Sequence, residues 1–169
     1  TTGSRDDVLL GVGATYVFSE TLAGFGGVYQ GHALPGASGG ASGLNIEESL
    51  GLEIGLRGSL MEDVVFEIAY FRTDYTDMLA LESLASNVTN SANVGESLVQ
   101  GFELSLSSEL GKNQGIGIPV SFTATFTEAE FSKSINGDGI WAESASGNDM
   151  PYIPNVQYNL RSGLVFEKL

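Results

Sequence analysis

Apolar and polar residues alternate with a period of two along several separate stretches of this chain, and no other property limits its fold as strongly. Leu50, Leu52, Ile54 and Leu56 occupy one parity, while Gly51, Glu53, Gly55 and Arg57 occupy the other. The pattern returns as Phe102, Leu104 and Leu106 against Gly101, Glu103, Ser105 and Ser107, and again as Val120, Phe122, Ala124 and Phe126 against Ser121, Thr123, Thr125 and Thr127. Successive side chains point to opposite faces of a strand, so each stretch carries one lipophilic and one polar face. Helical periodicity is nowhere sustained. The expected fold class is therefore all-β.

The spacing predicts seven strands: Val8–Phe18, Leu22–Gln30, Glu48–Gly58, Val64–Tyr75, Val94–Leu110, Val120–Phe131 and Val156–Glu167. Short connections around Ser19–Thr21, Met61–Asp63 and Gly111–Ile118 alternate with long polar ones over His32–Ile46, Met78–Ala92 and Ser132–Asn155. A meander of this kind puts the short turns on one rim and the long loops on the other, the arrangement of outer-membrane β-barrels. No apolar run reaches the roughly 18 residues of a transmembrane helix, whereas barrel strands need only about 9–11. A surface-displayed β-sandwich acting as a binding or adhesion module is the alternative, and it would bury the apolar face against a second sheet. Single-chain bacterial barrels have even strand counts, so seven strands fit a segment of a larger barrel. Residues 1–169 are expected to form one partial barrel domain.

Composition narrows the function. A net charge of −14 disfavours nucleic acid as a partner, and the absence of cysteine removes disulfides and thiolate chemistry. Nothing calls for a cofactor. His32 is the sole histidine, and its neighbouring serines Ser38 and Ser42 lie in a Gly-rich segment that cannot hold a Ser–His pair in place, so no enzyme is expected. Ser134–Gly139 lacks the spaced carboxylates of a calcium loop.

Four local motifs carry a family resemblance. They are Glu47-Glu48-Ser49-Leu50-Gly51-Leu52-Glu53-Ile54-Gly55-Leu56-Arg57, Ala69-Tyr70-Phe71-Arg72-Thr73-Asp74-Tyr75-Thr76-Asp77, Asn93-Val94-Gly95-Glu96 followed by Gly101-Phe102-Glu103-Leu104, and Pro151-Tyr152-Ile153-Pro154 followed by Asn159-Leu160. In that order they resemble the barrel of TonB-dependent outer-membrane receptors, toward its C-terminal half, with the ferric-citrate type nearest by spacing. The resemblance implies an active importer of a metal chelate such as a ferric siderophore or ferric citrate, in the bacterial outer membrane. It implies membrane lipid, the ferric chelate and the TonB complex as partners, the last through a plug domain that is not among these residues.

On this reading Glu53, Arg57, Glu67, Glu103 and Arg161 face the lumen, pair across strands and offer a docking surface for the plug. Phe25 and Tyr29 are expected to face lipid, and Tyr16, Phe18, Tyr29, Tyr70, Tyr75 and Tyr158 to form interfacial girdles. Ligand contacts are expected from Gln30 and His32 in the first long loop and from Asn87, Asn90 and Asn93 in the second, because polar chelates need amide, imidazole and hydroxyl partners. No metal site is expected from a lone imidazole.

Overall fold

The computed structural model describes residues 8–35, 44–83, 89–93, 95–111, 116–133 and 146–166. Its ten strands are β1 (Gly11–Ser19), β2 (Leu22–Ala33), β3 (Glu47–Met61), β4 (Val64–Thr76), β5 (Leu79–Ser83), β6 (Thr89–Asn93), β7 (Ser97–Leu110), β8 (Ile116–Phe131), β9 (Val156–Ser162) and β10 (Val165–Phe166). The main sheet runs β1-β2-β3-β4-β7-β8, with β9 and β10 end to end along the far edge of β8. Every pairing is antiparallel. The seven expected strands are thus present as a meander, with three differences.

The second long connection is not a plain loop. It contains a small hairpin, Leu79–Ser83 paired with Thr89–Asn93. The second strand runs farther than its apolar pattern, so that His32 pairs with Glu48 inside the β2–β3 ladder instead of opening a loop.

The seventh strand is divided into β9 and β10, although its register against β8 does not change across the gap: Val120 faces Ser162 and Gly117 faces Val165. The lapse falls where Gly163 meets Pro119. Proline has no N–H to donate to the ladder, so that pair keeps only the bond from Gly163 N to Pro119 O, 3.1 Å.

Both tight turns carry a one-residue shift, between Val17 and Ser19 in β1 and between Ser59 and Met61 in β3. Each bulge leaves an apolar residue extra, Phe18 and Leu60, both exposed.

The registers sort the side chains into two faces. On one face, row by row, lie Ala14, Gly26, Ile54, Tyr70, Phe102, Phe126 and Val156, and beside them Tyr16, Gly24, Leu56, Ile68, Leu104, Ala124 and Tyr158. Most of the large side chains here remain uncovered, Ile54 being 60% exposed and Tyr158 78%, whereas Ala124 is buried. Among the described residues no second sheet packs on this face, which removes the β-sandwich alternative. The opposite face is polar and more crowded, with Gly51, Ala69, Ser97 and Gly101 buried. Among the described residues no helix is long and apolar enough to cross a membrane, which says nothing of crossing by strands.

The apolar face has the dimensions of a hydrocarbon belt. From Leu50 to Leu60 β3 advances by about ten residues, roughly 34 Å of strand and roughly 26 Å of height at a tilt of about 40°. Its edges also cross the hydrogen-bonded rows obliquely. Leu50 faces Asp74, and β4 turns apolar only at Tyr70; on the other edge the last apolar residues move from Leu22 on β2 to Ile116 on β8. On that second edge the limit moves six residues over four strand steps, which corresponds to a tilt of roughly 45°, within the range that closes a sheet into a transmembrane barrel.

Candidate functional site

The polar face and the rim bearing the long connections form the candidate site. On the polar face, glycines on one strand lie beneath aromatic rings from the next. Tyr29 covers Gly51 and Phe25 covers Gly55, while the Phe71 ring lies 2.8 Å from where a Cβ on Gly101 would sit. The register fixes this facing: Tyr29 pairs with Gly51 and Phe25 with Gly55, the parity of Glu53 and Arg57. Phe25 and Tyr29 therefore face inward, contrary to the expectation that they meet lipid. A ring lying across a neighbouring glycine replaces the missing side chain, and the glycine rows of β2 gave no facing signal of their own.

Glu53, Arg57, Glu67, Glu103 and Arg161 all lie on the polar parity, opposite Phe71, Glu67, Arg57, Thr125 and Ser121 respectively. Among the described residues no ion pair joins them, although Arg57 and Glu67 are direct cross-strand partners. Arg57 instead holds its guanidinium 5.5 Å from the centroid of Phe25. Arg161 sits near the short-turn rim with Glu62, Glu109 and Ser121 along one shallow groove.

The rim bearing the long connections is built by hydrogen bonds between segments distant in sequence. Asn93 Nδ2 donates to the carbonyls of Asp77 (2.7 Å) and Asn45 (3.1 Å), and its Oδ1 accepts from Asn45 N at 2.8 Å. Asn45 Nδ2 donates to Asp77 Oδ1 at 3.1 Å, and Asp77 adopts φ 51°, a conformation that asparagine and aspartate tolerate better than most residues. Glu47 accepts from Leu79 N at 2.7 Å, at the base of the β5–β6 hairpin. The first and second long connections are thus tied to each other beside the sheet.

A small core sits beneath them: Phe131 is 1% exposed, Ser97 is 1% exposed and donates to Met78 Sδ at 3.3 Å, and Ala129 is buried. The returning arm of the third connection continues this edge, with Gly147 N donating to Phe131 O (2.7 Å) and Met150 N to Ala129 O (2.8 Å). Lys133 Nζ donates to Glu96 at 2.9 Å, and this carboxylate holds the Lys133 ammonium above its ordinary pKa.

The expected ligand residues are scattered. Gln30 and His32 lie on the apolar parity of β2, beyond Val28, and Gln30 Oε1 accepts from Leu10 N at 3.2 Å, so they sit at the outer edge of the belt and not over the bore. Asn93 is committed to the rim network. Asn90 pairs with Glu82 within the hairpin, and Asn87 lies outside the described residues. Among the described residues no three His, Asp or Glu side chains converge to hold a metal ion.

Of the expected girdle, Tyr16, Phe18, Tyr70 and Tyr158 lie on the apolar face, while Tyr29 and Tyr75 share the parity of Gly51 and Ser97 on the polar one. At the outer edge of the belt Tyr70 donates to Gln100 Oε1 (3.0 Å), Gln100 Nε2 donates to Glu128 (2.9 Å), and Arg72 is bidentate to Asp74 at 2.8 and 3.0 Å. This polar ladder across β4, β7 and β8 was not legible beforehand, because a lone Arg or Gln in an alternating strand carries no sign of its neighbours.

The comparisons agree with this geometry. The family model described as TonB dependent receptor-like, beta-barrel, matches residues 1–168. No curated protein sequence matches the chain significantly. Among solved structures, the ferric yersiniabactin uptake receptor FyuA from Yersinia pestis superposes with a TM-score of 0.61 at 22% identity, covering 88% of this chain and 21% of that one. The siderophore receptor PirA from Acinetobacter baumannii gives 0.64 at 18% identity, covering 94% and 26%. The FrpB iron transporter from Neisseria meningitidis gives 0.62 at 16%, covering 96% and 24%. The chain spans between a fifth and about a quarter of the length of these receptors.

Proposed function

Because the chain belongs to the TonB-dependent receptor-like β-barrel family of the bacterial outer membrane, we propose that it is one part of the wall of an active importer of metal chelates, ferric siderophores among them. The observation that carries this is the division of the sheet: a tilted apolar belt of hydrocarbon height on one face, a polar bore-facing wall on the other, and the long connections gathered at one rim. The relatives of known structure are named for siderophore or iron uptake, which supports the cargo class and leaves ferric citrate as one candidate among several. A transporter, not an enzyme, is what such a wall serves, because it confines a path through the membrane.

In this proposal the remaining strands and a plug come from the rest of the protein, and the TonB complex acts through that plug. Glu53, Arg57, Glu67, Glu103 and the Arg57–Phe25 stack supply the inner surface against which a plug packs. Capture of the chelate falls to the second long connection, to which Asn87 and Asn90 belong in sequence, while Asn93 holds the base of the β5–β6 hairpin. In this reading Gln30 and His32, beyond Val28 on the apolar parity of β2, serve at the membrane edge and not in capture.

The test is uptake of radiolabelled ferric chelates by cells carrying the full-length receptor as their one importer, with and without TonB. Accumulation of at least one ferric siderophore that depends on both proteins supports the proposal. Flotation with liposomes but no TonB-dependent uptake of any metal chelate would leave the membrane assignment standing and refute the cargo.

A further inference from the structure

The β5–β6 hairpin leaves the main sheet through two kinks that face each other. Asp77 (φ 51°) turns the chain out of β4 and Gly95 (φ 99°) returns it toward β7, both in the left-handed region. Between them Met78 N donates to Gly95 O at 2.9 Å. Two opposed kinks make a narrow neck, about which a hairpin swings unless something outside it holds on. The other two long connections supply the holds. From one side, Asn45 and Asn93, 48 residues apart in sequence, each donate to the other, and both also donate to Asp77. From the other side, Ser132 N donates to Glu96 O at 3.0 Å and Lys133 to the Glu96 carboxylate at 2.9 Å. Phe131 then bonds through its N–H to Asn148 and through its carbonyl to Gly147, on the returning arm of the third connection. All three connections therefore meet at the neck, over the buried Ser97 whose hydroxyl donates to Met78 Sδ.

We propose that the three long connections open and close as one cooperative unit, and that this unit positions the second connection for capture. Its junction is the neck formed by Asp77, Met78 and Asn93 to Glu96, with Asn93 as the central positioning residue. The positioning role rests on the importer reading, whereas the cooperativity does not. Long surface loops ordinarily open one by one, because each shares few bonds with the next. Here the bonds are shared. The Asn93 amide satisfies the Asp77 and Asn45 carbonyls with one nitrogen and accepts from Asn45 N with its oxygen, so losing it releases the first connection and the neck in a single step. Releasing the neck frees Glu96, and with it the carbonyl and the carboxylate that hold the third connection. A chelate that orders any one connection then orders the other two, which lowers the ordering entropy left to each later contact.

The experiment is hydrogen exchange of the full-length receptor in detergent, resolved to single amides by fragmentation mass spectrometry. Met78 reports the neck, Ser132 and Gly147 the third connection, and Ser59, bonded to Thr21 O at the opposite rim, is the reference. A net hydrogen bond is worth roughly two- to twelve-fold in an opening equilibrium, so Asn93→Ala, which removes three, should speed Met78, Ser132 and Gly147 alike by about ten-fold or more. Ser59 should not change. If Asn93→Ala does not assemble, Asn45→Ala carries the test: it removes only the bond to Asp77 Oδ1, and should speed the same three amides together by about two- to twelve-fold. Faster exchange at Met78 with Ser132 and Gly147 at wild-type rates overturns the cooperative unit. For the positioning role, cells with the full-length receptor as their one importer are given radiolabelled iron on a hydroxamate, a catecholate or citrate. Whichever chelate wild type imports should half-saturate Asn45→Ala only at a higher concentration, with the same maximal rate. An unchanged half-saturation overturns the positioning role. Import of none of them by wild type refutes the importer reading and the positioning role with it, while the exchange rates still decide the cooperative unit.

Discussion

Glycines on the inner wall divide into two kinds, and the difference is measurable at Gly101 and Gly51. A Cβ added at Gly101 would meet the carbonyl oxygen of Phe126 directly across the β7–β8 ladder, with the Phe126 carbonyl carbon at 3.0 Å and the Phe71 ring at 2.8 Å. The oxygen cannot withdraw without spreading two hydrogen-bonded strands. A Cβ at Gly51 would meet the ring of Tyr29 first, its hydroxyl oxygen 2.7 Å away, and a ring can swing about its χ angles.

Overpacking that moves backbone costs about 1–3 kcal/mol, whereas Gly→Ala at a compatible position gains about 0.4–1 kcal/mol from the unfolded chain. Gly101→Ala is therefore expected to destabilise by about 1–3 kcal/mol, roughly a 5- to 150-fold loss in the folded-to-unfolded ratio, and Gly51→Ala by less than about 1 kcal/mol.

A double-mutant cycle separates the causes. In a Tyr29→Ala background the cost of Gly51→Ala should vanish or reverse, while in a Phe71→Ala background Gly101→Ala should stay costly because the Phe126 carbonyl remains. The assay is equilibrium denaturant unfolding of the full-length receptor in detergent, with heat-modifiable gel migration reporting folded barrel. A Gly101→Ala midpoint equal to wild type, or a Gly101→Ala cost abolished by Phe71→Ala, would refute the reasoning.

The remaining expectations concern the belt and the rim. Ile54→Arg should destabilise the inserted barrel by about 2–4 kcal/mol, and Glu53→Arg, one residue away on the other face, by no more than about 0.5 kcal/mol, measured by the same unfolding assay. Glu47→Ala should speed hydrogen exchange at the Leu79 amide, whereas Glu47→Gln, which keeps an acceptor, should change it little. Lys133 has its pKa raised by Glu96, so the pair's contribution is fully present below the ordinary lysine value near 10.5 and is lost as pH rises through the folded value. NMR titration of the Lys133 ammonium should therefore show a higher pKa in wild type than in Glu96→Gln. Both groups are exposed, so salt should shrink that difference.

Much of the wall was legible in the sequence, because a two-residue period with Leu50, Leu52, Ile54 and Leu56 on one side allows only one facing. Legibility failed where the deciding information lies on another strand. Phe25 and Tyr29 face inward because glycines on β3 leave them room there, which β2 alone does not reveal. The gap in the seventh strand comes from Pro119 on β8 and not from any residue of β9. The β5–β6 hairpin was hidden because Thr89–Asn93 is polar and poor in β-branched or aromatic residues. Asn93 has the amide chemistry of a ligand residue, and that same chemistry ties it to Asn45 and Asp77 at the hairpin base. At Gln30 and His32 the apolar pattern ends before the backbone ladder does, so a continuing strand resembled the start of a loop.

The facing of β3 can be measured without reference to any ligand. The chain contains no cysteine, so single cysteines at positions 50 to 57 of the full-length receptor can each carry a nitroxide. Reconstituted in liposomes, labels replacing Leu50, Leu52, Ile54 and Leu56 should relax fastest with dissolved oxygen, and labels replacing Gly51, Glu53, Gly55 and Arg57 should favour a water-soluble nickel chelate or stay shielded from both. Oxygen and nickel accessibilities that fail to alternate at every second residue, or that alternate with the opposite phase, would contradict the assignment of lipid and bore on which the whole account depends.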